Sequence, residues 1–435
     1  MRPLYLISLS LSAFLALQGC KKNETNNPSE TPNRPPGPFE LTNVSNRSLD
    51  VDVMPTFTWQ ISKDPDGDSV AYDLYLKKGS QEFDLLASDI HENSFVLETR
   101  LITQTKYQWK VIAKDGKGGS CESKTAFEFT TRSLKEPMKA IDGATSLARS
   151  GHTSLFFNNK IWTIAGKLRD NKVNDIWSSE DGITWESENA SAPFGARSKH
   201  TSVLFDNKLW IMGGQGESAG FSATYSDVWT SKNGVNWELI NVAAGFGARS
   251  EHASAVYDNK IWVIGGMDQT GKKLNDIWHS IDGRNWAEAI ASAPFTPRNG
   301  LAAVVFRGKL WIIGGNDSTA SGSIWNTENG KDWTLVNNDP PFKKRGGHDV
   351  AVFDNKLWLV AGMQYAPGKS SLGIEKSDIW TSEDGITWVP FNFNANFPAR
   401  LDHTVITAYN KLFILFGRRT NFPSNPAFND VWYVE

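Results

Sequence analysis

A motif of the form Arg-x-x-His returns at intervals of roughly fifty residues, and no other feature limits the fold of this chain so strongly. It stands at Arg149/His152, Arg197/His200, Arg249/His252, Arg345/His348 and Arg400/His403, with Arg298/Leu301 as the one variant. Each motif leads an apolar run, a short turn ending in Lys, an Ile/Leu-Trp step in five of the six units, and a small pair such as Gly213-Gly214. After a loop of varying length come Asp-Ile/Val-Trp and then Asp/Asn-Gly before a further Trp.

The 18 tryptophans follow this template. Trp162, Trp210, Trp262, Trp311 and Trp358 fall on a second strand. Trp177, Trp229, Trp278, Trp325, Trp380 and Trp432 fall on a third, and Trp185, Trp237, Trp286, Trp333 and Trp388 on a fourth. Four short strands per unit make a propeller blade, because a twisted sheet with two apolar faces can bury both only between neighbours. The diglycine, the later Trp and the unit length resemble Kelch repeats. The chain is therefore read as all-β, with a six-bladed Kelch-type β-propeller over 136–435. Its sixth unit stops at Glu435 without a fourth-strand Trp, so a strand near 138–141 is expected to complete that blade by pairing with residues 431–434.

Ahead of the repeats, strand-like runs alternate with turn residues over 37–132, as in a β-sandwich. Trp59 and Trp109 are expected on facing strands. The string Leu101-x-x-x-Thr105-x-Tyr107-x-Trp109 resembles a fibronectin type III domain, which implies a tyrosine hydroxyl tying one corner of the sandwich. Cys121 reads as a small, half-buried residue near a strand end.

Residues 1–19 read as an export signal: Arg2, then an apolar run from Leu4 to Leu17 that is too short to remain as a spanning anchor. Leu17-Gln18-Gly19-Cys20 resembles a bacterial lipobox, with Gln18 departing from the usual small or β-branched residue. The resemblance implies cleavage before Cys20 and its acylation. Residues 20–36 then form a lipidated, disordered tether, and the expected location is the envelope of a Gram-negative bacterium, at the periplasmic or surface face of the outer membrane. The membrane is met through the N-terminal lipid only. A formal charge of −3 offers no basic field for a phosphate backbone, so nucleic acid is not an expected partner.

In an up-and-down blade, the loops leading into the first strand and out of the second share one end. The hairpins at the other end are short, near-identical turn signals such as Asp206-Asn207 and Asp181-Gly182. Binding is therefore expected among the variable loops 215–225, 363–376 and 418–428. Arg149, Arg197, Arg249, Arg298, Arg345 and Arg400 would ring that mouth, where Kelch proteins commonly receive ligands. The opposing reading pairs them with the third-strand aspartates Asp175, Asp227, Asp276, Asp378 and Asp430. Blade four has Ser323 in place of Asp, which leaves Arg298 as the arginine expected to lack a partner and to grip an anionic group. The repeated histidines read as packing residues, because blades spread them around a ring.

No catalytic set emerges. Ser179 to Trp185 resembles the Asp box of sialidase propellers, an element that stabilises turns and brings no catalytic residue. A galactose oxidase-like copper site needs a Cys-Tyr crosslink inside the propeller, and Cys121 lies outside it. Some bacterial Kelch propellers are sialic acid mutarotases, which keeps a carbohydrate-active enzyme as the alternative to noncatalytic binding of a glycan or extended polypeptide. An architectural role in envelope assembly is the third reading. No cofactor is expected beyond calcium at Asp64, Asp66 and Asp68, whose alternating carboxylates suit that ion or an Asx-stabilised turn.

Overall fold

A computed structural model describes residues 32–142, 147–218, 221–318, 322–365, 373–420 and 427–435. The signal segment, Cys20 and the tether up to residue 31 lie outside the described residues, as do parts of the three variable loops. The described elements are strands, and none of the described residues form a helix long and apolar enough to cross a membrane.

Clustering of the chain separates two compact units. One contains Thr56–Phe95 and Gln108–Glu128 with the segment up to Asn46; the other contains Arg47–Pro55, Val96–Tyr107 and Phe129–Glu435. Strands Leu41–Asn43, Thr56–Trp59 and Ser94–Val96 form one sheet of the N-terminal region. Ser48–Val51, Phe127–Thr131, Lys106–Lys114, Ala71–Lys78 and Asp84–Ile90 form a second in that order, with Ser120–Glu122 also paired to Lys106–Lys114. Strict alternation along Lys106–Lys114 buries Tyr107, Trp109, Val111 and Ala113 and turns their neighbours outward. Trp109 meets Phe57 of the other sheet at 4.9 Å between ring centres, and Trp59 meets Tyr72 at 5.4 Å. The Tyr107 hydroxyl accepts the Ile102 amide at 3.2 Å. Cys121 is half-buried on Ser120–Glu122.

From Met138 onward the chain forms six consecutive four-stranded blades. Their inner strands, Thr153–Phe157, Thr201–Phe205, Ala253–Tyr257, Ala302–Phe306, Asp349–Phe353 and Thr404–Ala408, touch one another in sequence, and the last touches the first. The hairpin after each inner strand takes two left-handed residues, as at Asp206 and Asn207 with φ of 49° and 53°. That geometry is why Asp-Asn recurs there. Met138–Asp142 pairs antiparallel with Asp430–Val434, joining Lys139 to Trp432 and Ile141 to Val431, and so supplies the fourth strand of blade six.

The cores lie between blades. Trp162 and Ile164 of blade one pack with Leu209, Ile211 and Trp237 of blade two, and the same arrangement recurs around the ring. The Gly of each third-hairpin turn explains the Asp/Asn-Gly repeat. In blade two Ser231 Oγ accepts the Gly234 amide at 2.8 Å, which holds Gly234 against the indole of Trp162 in blade one. A Cβ on Gly234 would stand 2.4 Å from that ring, and its φ of +80° already disfavours any side chain. Gly283 meets Trp210, Gly330 meets Trp262 and Gly385 meets Trp311 in the same way. Gly234→Ala is therefore expected to destabilise the propeller by about 1–3 kcal/mol, read as a lower denaturation midpoint, whereas the same change at solvent-facing Gly271 should cost less.

Candidate functional site

One arginine locks each blade from within. Arg197 is fully buried and donates from Nη1 and Nη2 to Asp227 Oδ1 and Oδ2 at 2.7 and 2.8 Å. Its Nη1 also donates to the carbonyl of Gly213, first of the small pair, at 2.9 Å. The Asp227 carboxylate meanwhile accepts Trp229 Nε1 at 2.7 Å. The clamp repeats as Arg149–Asp175, Arg249–Asp276, Arg345–Asp378 and Arg400–Asp430. In each, the indole two residues past the aspartate completes it. Aromatic rings cover the guanidinium groups, with Arg197 4.4 Å from the Tyr225 ring centre and Arg400 4.5 Å from that of Phe428.

This geometry corrects the expectation of an arginine-lined mouth. Arg149, Arg197, Arg249, Arg298, Arg345 and Arg400 are at most 2% exposed, so a ligand in the mouth meets none of their donors. Blade four is corrected as well. Arg298 has a partner in Asp317, two residues beyond the Gly314-Gly315 pair, at 3.2 Å, and it also donates to Ser323 Oγ at 3.0 Å. Burial pushes the Arg298 pKa down to about 10 against the opposing pull of Asp317. Lys344 donates to the Asp317 carbonyl at 2.7 Å.

Four of the histidines tie their blade to the one before it. His152, His200 and His252 share Nε2 hydrogen bonds with Thr404, Thr153 and Thr201 at 3.0, 3.0 and 2.8 Å. His348 donates to the Ile313 carbonyl at 3.1 Å. Burial holds all five imidazoles neutral, with His200 and His348 pushed down to about 3. The glycine that ends the pair leaves room for the histidine in the five blades that have one: a Cβ on Gly214 would lie 2.7 Å from the His200 Cβ.

Between Arg and His lies the part of the motif that does not repeat. Its third residue is Gly151, Lys199, Glu251, Gly300, Gly347 or Asp402, each left-handed with φ between 53° and 63°. Each amide donates to the carbonyl of its counterpart in the preceding blade. The distances are 2.8 Å from Gly151 to Asp402, 2.7 Å from Lys199 to Gly151 and 3.0 Å from Glu251 to Lys199. The circle closes with 2.8 Å from Gly300 to Glu251, 3.2 Å from Gly347 to Gly300 and 2.9 Å from Asp402 to Gly347. Six hydrogen bonds thus form a closed backbone girdle around the axis. The same six residues, with the five histidines and Leu301, line a cavity of about 110 Å³.

Side chains break the sixfold symmetry at the girdle. Lys199 is ion-paired with Glu251, whose other oxygen accepts Asn299 Nδ2. Arg418 donates to Asp402 at 2.8 Å. These four side chains remain 15–26% exposed, so a ligand can reach them. The Tyr365 phenol is pushed up to about 12 by burial and by the nearby Glu251 and Asp402 carboxylates. Tyr365 and Arg418 lie in the variable loops 363–376 and 418–428, where the sequence places binding, but Lys199, Glu251 and Asp402 are not singled out by it. The signal was the variation Gly, Lys, Glu, Gly, Gly, Asp inside an otherwise constant motif.

In the N-terminal region the oxygens of Asp64, Asp66 and Asp68 gather within 4.8 Å of one another, close enough to share an ion. Asp64 Oδ1 accepts the amides of Asp66 and Asp68 at 2.8 and 3.3 Å, an Asx turn. Arg34 pairs with Asp66 and Lys117 with Asp68, both at 2.7 Å, so two of the three carboxylates already have a cation.

If the clamps are structural, Asp227→Ala strands Arg197 in the core and should cost about 3–5 kcal/mol. Arg298→Ala should likewise lower stability. Chemical denaturation measures both, and an unchanged midpoint in either variant would contradict the clamp.

Residues 103–315 match the model of the KLHDC2/KLHL20/DRC7 Kelch-repeats domain. No curated protein matches the chain. Among solved structures it is similar to the one titled "Structure of YjhT", with a TM-score of 0.55 and 16% identity over 67% of this chain and 96% of that one. At that identity the likeness speaks for the fold. Repeat, blade architecture and both matches agree that the chain carries a Kelch-type β-propeller.

Proposed function

We propose that the propeller is a noncatalytic recognition module whose ligand, a glycan or an extended polypeptide, binds at the girdle mouth rather than on the arginine ring. The observation that carries this is the contrast between two sets of charged residues. Arginines copied into every blade are buried and paired within it, whereas Lys199, Glu251, Asp402 and Arg418 occur once each and stay accessible. A feature that serves the blade is repeated with the blade, and one that serves a ligand is free to differ. Mixed donors and acceptors on partly buried, mutually oriented side chains suit hydroxyl or amide groups.

The rest of the chain fits presentation at a surface. In this reading the lipobox-like segment marks Cys20 for cleavage and acylation, and the fibronectin type III-like sandwich lies in sequence between the anchor and the propeller of a Gram-negative envelope protein. A second, carbohydrate-active reading has one observation in its favour: the Glu251 carboxylate lies near enough to the Tyr365 phenol to raise its pKa, and anomer exchange needs a neighbouring acid and base.

The test is binding of the purified full chain to glycan and peptide arrays. Lys199→Ala and Glu251→Gln are expected to weaken the ligand found by at least about tenfold without lowering thermal stability, and Cys20→Ala to release the chain from the membrane fraction. NMR exchange between sugar anomers would establish the enzymatic reading instead. Binding untouched by both mouth variants would overturn this location.

A further inference from the structure

The mouth is lopsided in a way that specifies what enters it. Around the girdle, blades four and five contribute the adjacent glycines Gly300 and Gly347, and the flanking blades contribute Glu251 and Asp402. Both carboxylates lean over the glycine floor. A Cβ built on Gly347 would stand 2.9 Å from Asp402 Oδ1, and one on Gly300 would stand 3.8 Å from Glu251 Oε2. Arg418 engages the other oxygen of Asp402, and Oδ1 accepts no hydrogen bond from a described residue. Tyr365 borders the same floor, its ring edge 3.4 Å from a Cβ built on Gly346.

Independent of these acids, a buried amide oxygen beside the mouth lacks a partner. Asn299 is 7% exposed; its Nδ2 is committed to Glu251, and its Oδ1 is buried without a partner. The five cavity-lining histidines are 3–6% exposed; each has an unpartnered, buried Nδ1, and in His403 Nε2 is unpartnered as well. For His348 the tautomer follows from its neighbour. Nε2 faces a carbonyl and must carry the proton, so Nδ1 is a bare acceptor. A buried acceptor without a donor is costly, so Asn299 Oδ1, on the side chain that engages Glu251, favours an occupant that brings a donor.

Resting on the reading of the mouth as a binding site, we infer that the gap over Gly300 and Gly347 takes a primary ammonium group, held by Asp402 and Glu251 beside Tyr365. An ammonium carries three donors and no acceptor. Its donors fan out from one point, which suits single oxygens contributed by separate residues. A guanidinium fork is matched to two open oxygens of one carboxylate, and here Asp402 has one oxygen on Arg418 while both oxygens of Glu251 already accept a hydrogen bond. A cavity of about 110 Å³ has room for an ammonium with accompanying water. The local potential agrees: Glu251 and Asp402 hold the Lys199 ammonium above its ordinary range despite burial, and Asp402 does the same for the Arg418 guanidinium.

An amino sugar and a lysine side chain both present this group, and calorimetry with the full chain at pH 6 separates them. The probes are glucosamine, N-acetylglucosamine, glucose, glucuronate and Nα-acetyl-lysine amide. Glucosamine or the lysine amide is expected to bind at least about tenfold tighter than the neutral sugars, and Asp402→Asn to abolish that preference. Dependence on Asp402 for glucosamine alone identifies an amino sugar as the source, and for the lysine amide alone a peptide. Equal binding of glucosamine and N-acetylglucosamine, or preference for glucuronate, overturns the ammonium inference. If that binding is lost in Lys199→Ala, the mouth itself stands. Silence toward every probe overturns the inference too, and joint silence on the glycan and peptide arrays removes the mouth reading with it.

Discussion

Everything in the propeller depends on one buried ion pair repeated around the ring. An arginine at the start of each inner strand grips an aspartate on the third strand, while the same guanidinium holds the carbonyl of the small pair on the second. Three of a blade's four strands are thereby joined by one side chain. A buried ion pair is a weak source of net stability, because desolvation offsets most of its attraction. Its value is in register: a bidentate, indole-capped carboxylate admits only one alignment of the strands it joins. Blade four shows how strong the requirement is. Its third-strand aspartate is gone, yet Asp317 reaches the same guanidinium from a different loop.

Once the clamps have absorbed the repeated charges, what differs between blades stands out. The girdle is uniform in its backbone, with six left-handed residues and six hydrogen bonds, and varied in its side chains. A left-handed position favours glycine, and three blades have it. Lys199, Glu251 and Asp402 accept the same strained conformation while carrying charge, at a place where glycine would serve the fold better. That cost, borne at three of six equivalent positions, is the physical argument that these side chains act on something outside the blade.

Much of this architecture was legible in the sequence. Period, tryptophan positions and turn dipeptides are local signals, and each has a direct counterpart: Asp206-Asn207 in its left-handed hairpin, Gly234 against Trp162. The pairing of arginine with aspartate was also visible as one of two readings. Whether a repeated arginine points into its blade or into the channel depends on tertiary burial, which the residue pattern does not encode. Arg298 misled because its substitute partner, Asp317, lies outside the repeat template. The end of the propeller and the loops holding Tyr365 and Arg418 were legible, but the girdle residues Lys199, Glu251 and Asp402 were missed for the opposite reason. They are irregular, and a template built from regularities discards the variable position within Arg-x-x-His.

The central claim is that repeated residues hold the propeller and the departures from repetition carry recognition. The most direct measurement makes the girdle uniform by combining Lys199→Gly, Glu251→Gly and Asp402→Gly in one chain, and records thermal unfolding and ligand binding side by side. Glycine suits the φ of 53° to 57° at these positions, so the account predicts a melting temperature equal to or above that of the parent, with binding abolished. A propeller that loses its cooperative transition, or one that binds as before, would contradict it.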